Sequence, residues 1–233
     1  MTVIDQRILR GMTSQFRLRK RRLAAGDEPI GWKIGFGSPA ALEKMAIQAP
    51  LVGFLLDRAL VPSGTIFAIS DFKKPAVEPE IAVHMGADLP AGANRRTVRQ
   101  AIAAIGPAIE IADAVFPPDH VEDILAGNIY QRNLVLGDPD FSRAGGVLDG
   151  LKARVLRQGK EVANTTDVQA ITGELIDNVR HVADLLSEFG EILRAGQIII
   201  TGSIVPPIRL KEAEEIEFTL EPIGTISVGF SGA

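Results

Sequence analysis

Val77-Glu78-Pro79-Glu80-Ile81-Ala82-Val83 places two carboxylates two residues apart in a run that otherwise reads as a β-strand. Side chains alternate between the faces of a strand, so Glu78 and Glu80 share one face and stand roughly 6.6 Å apart along it. That separation suits two ligands of one hard cation. Further on, Ala108-Ile109-Glu110-Ile111-Ala112 sets a third lone carboxylate among apolar residues, with small alanines flanking it on its own face. An ionised carboxylate in a low-dielectric interior has to be paired, metal-bound or protonated. These residues alone leave two readings open, a cation-binding cluster and separate core ion pairs.

Working outward, segments 64–69, 77–85, 108–112, 134–136, 151–157, 160–163, 198–201, 216–220 and 225–230 read as strands. Gln158-Gly159 and Pro222-Ile223-Gly224 punctuate two hairpins. Helical patterns occupy 95–105 and 174–189, the latter with Leu175, Ile176, Val179, Val182, Leu186 and Phe189 on one stripe. The first quarter reads as helical: Ile4, Ile8, Met12, Gln15 and Phe16 mark an initial helix, and Ser38-Pro39 opens a second with an N-cap and a first-turn proline. No repeat, low-complexity linker or composition break divides the chain. The expected fold class is α+β, with residues 1–60 a helical N-terminal portion and 61–233 a mostly β body, integrated as one domain.

Hydrophobic residues make up 46% and charged residues 23%, a globular balance that supports a sizeable core. A net charge of -4 argues against non-specific nucleic-acid binding, which needs basic surface. The basic run Arg17-Leu18-Arg19-Lys20-Arg21-Arg22 ends the first helix with only Asp5 as a nearby acid, and is expected to be a solvated or subunit-contacting face. There are no cysteines, so any metal takes oxygen or imidazole ligands. The first residues show no secretory signal and no apolar run reaches membrane-spanning length, so the expectation is a cytoplasmic protein without a membrane partner.

Gly31-Trp32-Lys33-Ile34-Gly35-Phe36-Gly37-Ser38 is the second chemically loaded segment. Gly35 and Gly37 let backbone approach a ligand ahead of a helix. It lacks the third glycine of a dinucleotide fingerprint and the Gly-Lys-Ser/Thr of a phosphate loop. A site with three carboxylates, a substrate carboxylate and a divalent cation would carry surplus negative charge, which Lys33 would reduce.

Lys33 in Gly-Trp-Lys-Ile-Gly, Glu78 and Glu80 in Glu-Pro-Glu-Ile-Ala, Glu110 in Ala-Ile-Glu-Ile-Ala-Asp, and Thr201-Gly202-Ser203 resemble, in order and spacing, the hydratase and decarboxylase branch of the fumarylacetoacetate hydrolase superfamily. That branch includes 2-hydroxypenta-2,4-dienoate hydratase and 4-oxalocrotonate decarboxylase. The resemblance implies a distorted β-roll or barrel body, Mg²⁺ or Mn²⁺ on Glu78, Glu80 and Glu110, and Lys33 as the catalytic lysine. It implies lyase action on a small unsaturated 2-oxo or 2-hydroxy acid through a metal-chelated enolate, hydratase-like first, with 4-oxalocrotonate decarboxylase or acylpyruvate-type hydrolase as alternatives. It further implies a homo-oligomer and, in one reading, a complex with a partner enzyme of the same pathway. Gly35, Ser38, Asn128, Gln131, Thr201, Gly202 and Ser203 are the expected substrate contacts. The chain departs from the family pattern after Glu110, where Ala112-Asp113-Ala114-Val115 carries no arginine, and at Gly173-Glu174-Leu175. In Gly127 to Arg132 only Asn128 matches the pattern, and Tyr130, Gln131 and Arg132 are expected to shape a different pocket. A reading of another kind is a non-catalytic homologue serving as a binding or assembly subunit.

Of the three histidines, His84 shares the Glu78 and Glu80 face but lies about 13 Å beyond Glu80 in an extended strand. His120, after the 116–119 loop, is expected at the surface, and His181 is expected to be structural. Asp113 is expected to support the fold or the glutamates rather than bind substrate. Trp32 and Phe36 are expected in core packing, with a place in the pocket wall as the alternative.

Overall fold

The computed structural model describes residues 4–115 and 120–232; the loop expected at 116–119 lies outside them. Asp5 caps helix α1 (Gln6–Ala24), its carboxylate accepting from the Arg7 N–H at 2.8 Å. Strand β1 (Pro29–Gly35) follows, then helix α2 (Pro39–Met45), whose Ala41 N–H donates to the Ser38 hydroxyl. β2 (Leu51–Leu56) comes next. Residues 1–60 thus contribute two strands as well as helices. All six residues of β2 are buried, and a strand buried on both faces shows no alternation, which hides it from a period-2 reading.

The remaining strands are β3 (Thr65–Ala68), β4 (Pro75–Met85), β5 (Ile102–Asp113), β6 (Gln131–Leu136), β7 (Lys152–Arg157), β8 (Lys160–Thr165), β9 (Ile198–Ile200), β10 (Ile208–Arg209), β11 (Glu214–Glu221) and β12 (Gly224–Ser231). Helices α3 (Arg95–Ala101), α4 (Val121–Ala126) and α5 (Leu175–Ser187) complete the set. The helix expected over 95–105 stops at Ala101: Ile102 and Ile105 instead pair in β5 with Met85 and Val83. Long-range pairing there outweighs helical periodicity.

Seven strands form one sheet in the order β2-β1-β9-β4-β5-β6, with β10 also on β4. The sheet curls until its two ends meet, where Val61 N–H, just beyond β2, donates to the Leu134 carbonyl on β6 at 2.9 Å. The second sheet, β3-β12-β11-β7-β8, covers one side. Val155, Ile216, Phe218, Ile226 and Val228 from it join Ile105, Ile109 and Ile111 of β5 in the main core. Inside the curl a smaller cluster gathers Leu55, Ala82, Ala108, Leu134, Ile198 and Ile200. The α5 stripe buries Leu175, Ile176, Val179, Val182 and Leu186, and Phe189 stacks on Phe16 with ring centroids 5.0 Å apart.

The basic run of α1 is only partly the solvated face expected. Arg17, Lys20, Arg21 and Arg22 are exposed. Arg19 is buried, pairing with Glu191 at 3.0 Å and lying 4.9 Å above the Trp32 ring. The partners of Arg19 and Arg22, Glu191 and Asp27, come from outside the helix.

Candidate active site and metal centre

The β4–β5 register sets Glu78 directly opposite Glu110 and Glu80 opposite Ala108. Each of the three glutamates offers a carboxylate oxygen, and these atoms all lie within 4.8 Å of one another. Glu80 and Glu110 are fully buried, while Glu78 keeps part of its surface open. Lys33 reaches them from β1 across the concave face, ion-pairing with Glu110 Oε1 and donating to the Ile129 carbonyl at 3.1 Å. The Gly202 N–H, past the end of β9, donates to Glu80 Oε2 at 2.7 Å. Glu80 Oε1 and Glu110 Oε2 are buried with no hydrogen-bond partner.

Electrostatics follow from that imbalance. Burial first, and the Glu110 charge second, push the Glu78 carboxyl up to about 7 against the pull of Lys33 and Arg209. Its open edge does not prevent this, because protein packed around the carboxyl removes most of its water. Burial pushes Glu80 well above the usual range, with Glu110 and Glu78 adding repulsion and Lys33 and the Gly202 N–H opposing it. Among the described residues, ion pairing reaches only Glu110. Separate core ion pairs are therefore not what the fold builds. Two buried oxygens without a hydrogen-bond partner and one ammonium among three acids make a donor set that fits a divalent cation.

Above the cluster opens a cavity of about 200 Å³. Lys33, Glu78, Gly35, Ser38, Thr201, Gly202 and Ser203 line it, so five of the seven expected substrate contacts are brought together. Their polar groups already have partners: Thr201 donates to the Ile81 carbonyl at 3.2 Å, Ser203 donates to the Val205 carbonyl at 2.6 Å, and the Ser38 oxygen caps α2.

Asn128 and Gln131, expected at the substrate, do not line this cavity. Both face a second cavity behind the 127–132 segment, beside Arg22, Arg58 and Arg132. The Asn128 amide is taken by one backbone unit, accepting from Phe54 N–H at 2.8 Å and donating to the Phe54 carbonyl at 2.9 Å. Ile129 and Tyr130 stand in the wall instead, with Phe36, Ile171, Thr172 and Pro207. Of Tyr130, Gln131 and Arg132, expected to shape the pocket, Tyr130 lines this cavity while Gln131 and Arg132 line the second one; Ile129 was not expected there. Asn128, Ile129 and Tyr130 all have positive φ, at 55°, 52° and 61°. Such backbone is unusual for residues other than glycine, most of all for a β-branched one, and costs about 1–3 kcal/mol per residue.

Trp32 is core, its indole N–H donating to Gln197 Oε1 at 3.2 Å, whereas Phe36 lines the cavity. Asp113 organises backbone, accepting from the Lys73 and Lys74 N–H groups, with Arg132 at 3.4 Å. His181 Nε2 donates to the Pro50 carbonyl at 2.9 Å, and burial lowers its pKa. His120 is exposed, and His84 sits away from the cavity wall.

The family model for the fumarylacetoacetate (FAA) hydrolase C-terminal region matches residues 33–230. The chain belongs to this family. The matched span carries the three glutamates and Lys33. Among FAA hydrolase family relatives, 4-oxalocrotonate decarboxylase of Pseudomonas putida is 27% identical over 94% of this chain and 83% of its own. 2-Keto-4-pentenoate hydratase 2 of Dechloromonas aromatica (strain RCB) is 29% identical over 90% of this chain and 80% of its own. The solved structure of 4-oxalocrotonate decarboxylase from Pseudomonas putida G7, complexed with magnesium and adipate, superposes with a TM-score of 0.85 at 27% identity, covering 93% of this chain and 83% of that one.

Proposed function

We propose that this chain is a divalent-metal-dependent lyase acting on a small unsaturated 2-oxo or 2-hydroxy acid, hydratase-like in its reaction. The observation that carries the reading is the under-neutralised cluster of Glu78, Glu80 and Glu110 with one buried lysine at the floor of a small cavity. The three glutamates would hold the cation, and an all-carboxylate donor set suits hard Mg²⁺ or Mn²⁺. When bound, the cation supplies Lewis-acid stabilisation of negative charge developing on the oxygens of a 2-oxo acid.

The chain's own residues do the rest. The Gly202 N–H holds one oxygen of Glu80 and leaves the other to the cluster. Lys33 Nζ lowers the net charge met by an anionic substrate, and holds a proton that can be exchanged with the substrate carbon skeleton. Phe36, Ile129 and Tyr130 give the cavity an apolar wall that suits an alkene chain. Among the described residues no histidine lines the cavity. Decarboxylation of a 4-oxalocrotonate-type acid is the second reading, favoured by the similarity to the Pseudomonas putida enzyme. Retention of the glutamates and lysine speaks against a purely structural homologue.

The test is calorimetric titration of metal-stripped protein with Mn²⁺ and then oxalate, a planar enolate mimic, followed by turnover of 2-hydroxypenta-2,4-dienoate and 4-oxalocrotonate. Metal-dependent oxalate binding that disappears in Glu110→Gln is expected, with loss of the dienoate chromophore. A folded protein that binds neither metal nor oxalate would sink the lyase reading. Light scattering of the same sample checks for the homo-oligomer.

A further inference from the structure

We infer that Asn128 is a positioning residue for Lys33, acting through the carbonyl of Ile129. The inference rests on the reading that Lys33 meets the substrate. β2 is the last strand on its side of the curled sheet, and Phe54 turns its N–H and carbonyl away from β1. The Asn128 carboxamide takes both groups, at 2.8 and 2.9 Å, as a neighbouring strand would. That two-point grip holds a segment in which three consecutive non-glycine residues have left-handed backbone. Such a conformation persists only where its surroundings over-determine it.

The result is a carbonyl aimed inward. Ile129 O accepts from Lys33 Nζ at 3.1 Å, and Glu110 takes a second N–H. An ammonium has three N–H donors in fixed tetrahedral directions. With two held, by groups from different elements, the third direction is set, and Lys33 lines the cavity. Glycines make room for the device. A Cβ on Gly53 would meet Asn128 Oδ1 and Lys33 Cγ, each at 2.9 Å, and one on Gly35 would meet Ile129 Cγ2 at 2.9 Å. The lysine stem, the asparagine amide and the left-handed turn therefore form one close-packed unit. Asn128 itself is 5% exposed and lies outside the cavity wall, so its influence on a ligand passes through Ile129 and Lys33.

The experiment is a double-mutant cycle read by calorimetry, with oxalate titrated into Mn²⁺-loaded wild type, Asn128→Gly, Lys33→Ala and the double variant. Glycine is chosen because it adopts left-handed backbone freely, so the grip is removed without adding strain. Asn128→Asp, which keeps an acceptor for the Phe54 N–H, is the second variant should the glycine form fail to fold. Expected is an oxalate affinity about tenfold weaker in Asn128→Gly, Mn²⁺ affinity within about twofold of wild type, and no additional loss when Asn128→Gly is added to Lys33→Ala. A purely structural role would weaken metal and oxalate together and would add in full to the Lys33 loss. That outcome overturns the inference, as does unchanged oxalate affinity in Asn128→Gly while Lys33→Ala loses it. Unchanged oxalate affinity in Lys33→Ala would instead remove the reading of Lys33 at the substrate, and this inference with it.

Discussion

Glu80 shows how a single residue carries opposite signs for stability and function. Fully buried, with one oxygen on the Gly202 N–H and the other without a partner, its carboxylate is costly in the metal-free protein. Burial and the neighbouring acids already raise its pKa, and Glu80→Gln replaces this costly titratable group with a neutral one of nearly the same shape. It is expected to raise the melting temperature of the metal-free protein and to lower Mn²⁺ affinity by more than about 100-fold, beyond the 10–100-fold typical of residues that only support ligands. Thermal melts with and without Mn²⁺ check both; a melting temperature that falls without metal would mean that the cluster is satisfied as it stands. Gly53→Ala belongs to the same scale. Its methyl group would stand 2.9 Å from both Asn128 Oδ1 and Lys33 Cγ. Destabilisation of about 1–3 kcal/mol by denaturant titration is expected, together with weakened oxalate binding. Unchanged stability would show that the lysine stem yields freely.

Among the elements, β4 and β5 carry the three glutamates, and α5 packs against α3 and β1. β4 carries two acids on one face while Val77, Ile81 and Val83 on the other are buried in the main core, so the pleat separates chemistry from packing. That division was legible in the sequence because it depends only on alternation. β1 and β2 were harder to see: β2 is apolar throughout, and the expectation of a helical first quarter gave it no place. The α5 stripe was legible for the same reason as β4, a local period. Leu186 on that stripe is fully buried, and Leu186→Ala is expected to cost about 2–5 kcal/mol in chemical denaturation while leaving Mn²⁺ affinity unchanged. Loss of metal binding in the folded variant would show that α5 shapes the site rather than backing the sheet.

At the scale of the molecule, the curled sheet gathers acids faster than it gathers cations, and pH dependence follows. Glu78 sits at about 7 when folded against a usual 4.5, so between these values the folded metal-free protein holds more protons than the unfolded chain. The contribution of this group is fully present below about pH 4.5 and is lost as pH rises to about 7. A divalent cation competes for the same protonated site, so Mn²⁺ affinity is expected to rise with pH over that window. Melting curves from pH 5 to pH 8 with and without Mn²⁺ test both; stabilisation by metal that shrinks with rising pH would contradict the linkage. What the sequence by itself determined was local. Strand alternation set Glu78 and Glu80 on one face, alanines left space around Glu110, and Ser38-Pro39 opened a helix. The family resemblance then chose metal binding over ion pairing, which the residues alone left even. Only the tertiary structure brought Glu110 opposite Glu78 and carried Lys33 across the curl, because strand register and sheet closure are long-range hydrogen-bond choices. It alone decided that Asn128 grips β2 while Ile129 and Tyr130 face the cavity. That turn is held by a partner 74 residues away, and no local propensity of Asn-Ile-Tyr announces three left-handed residues in a row.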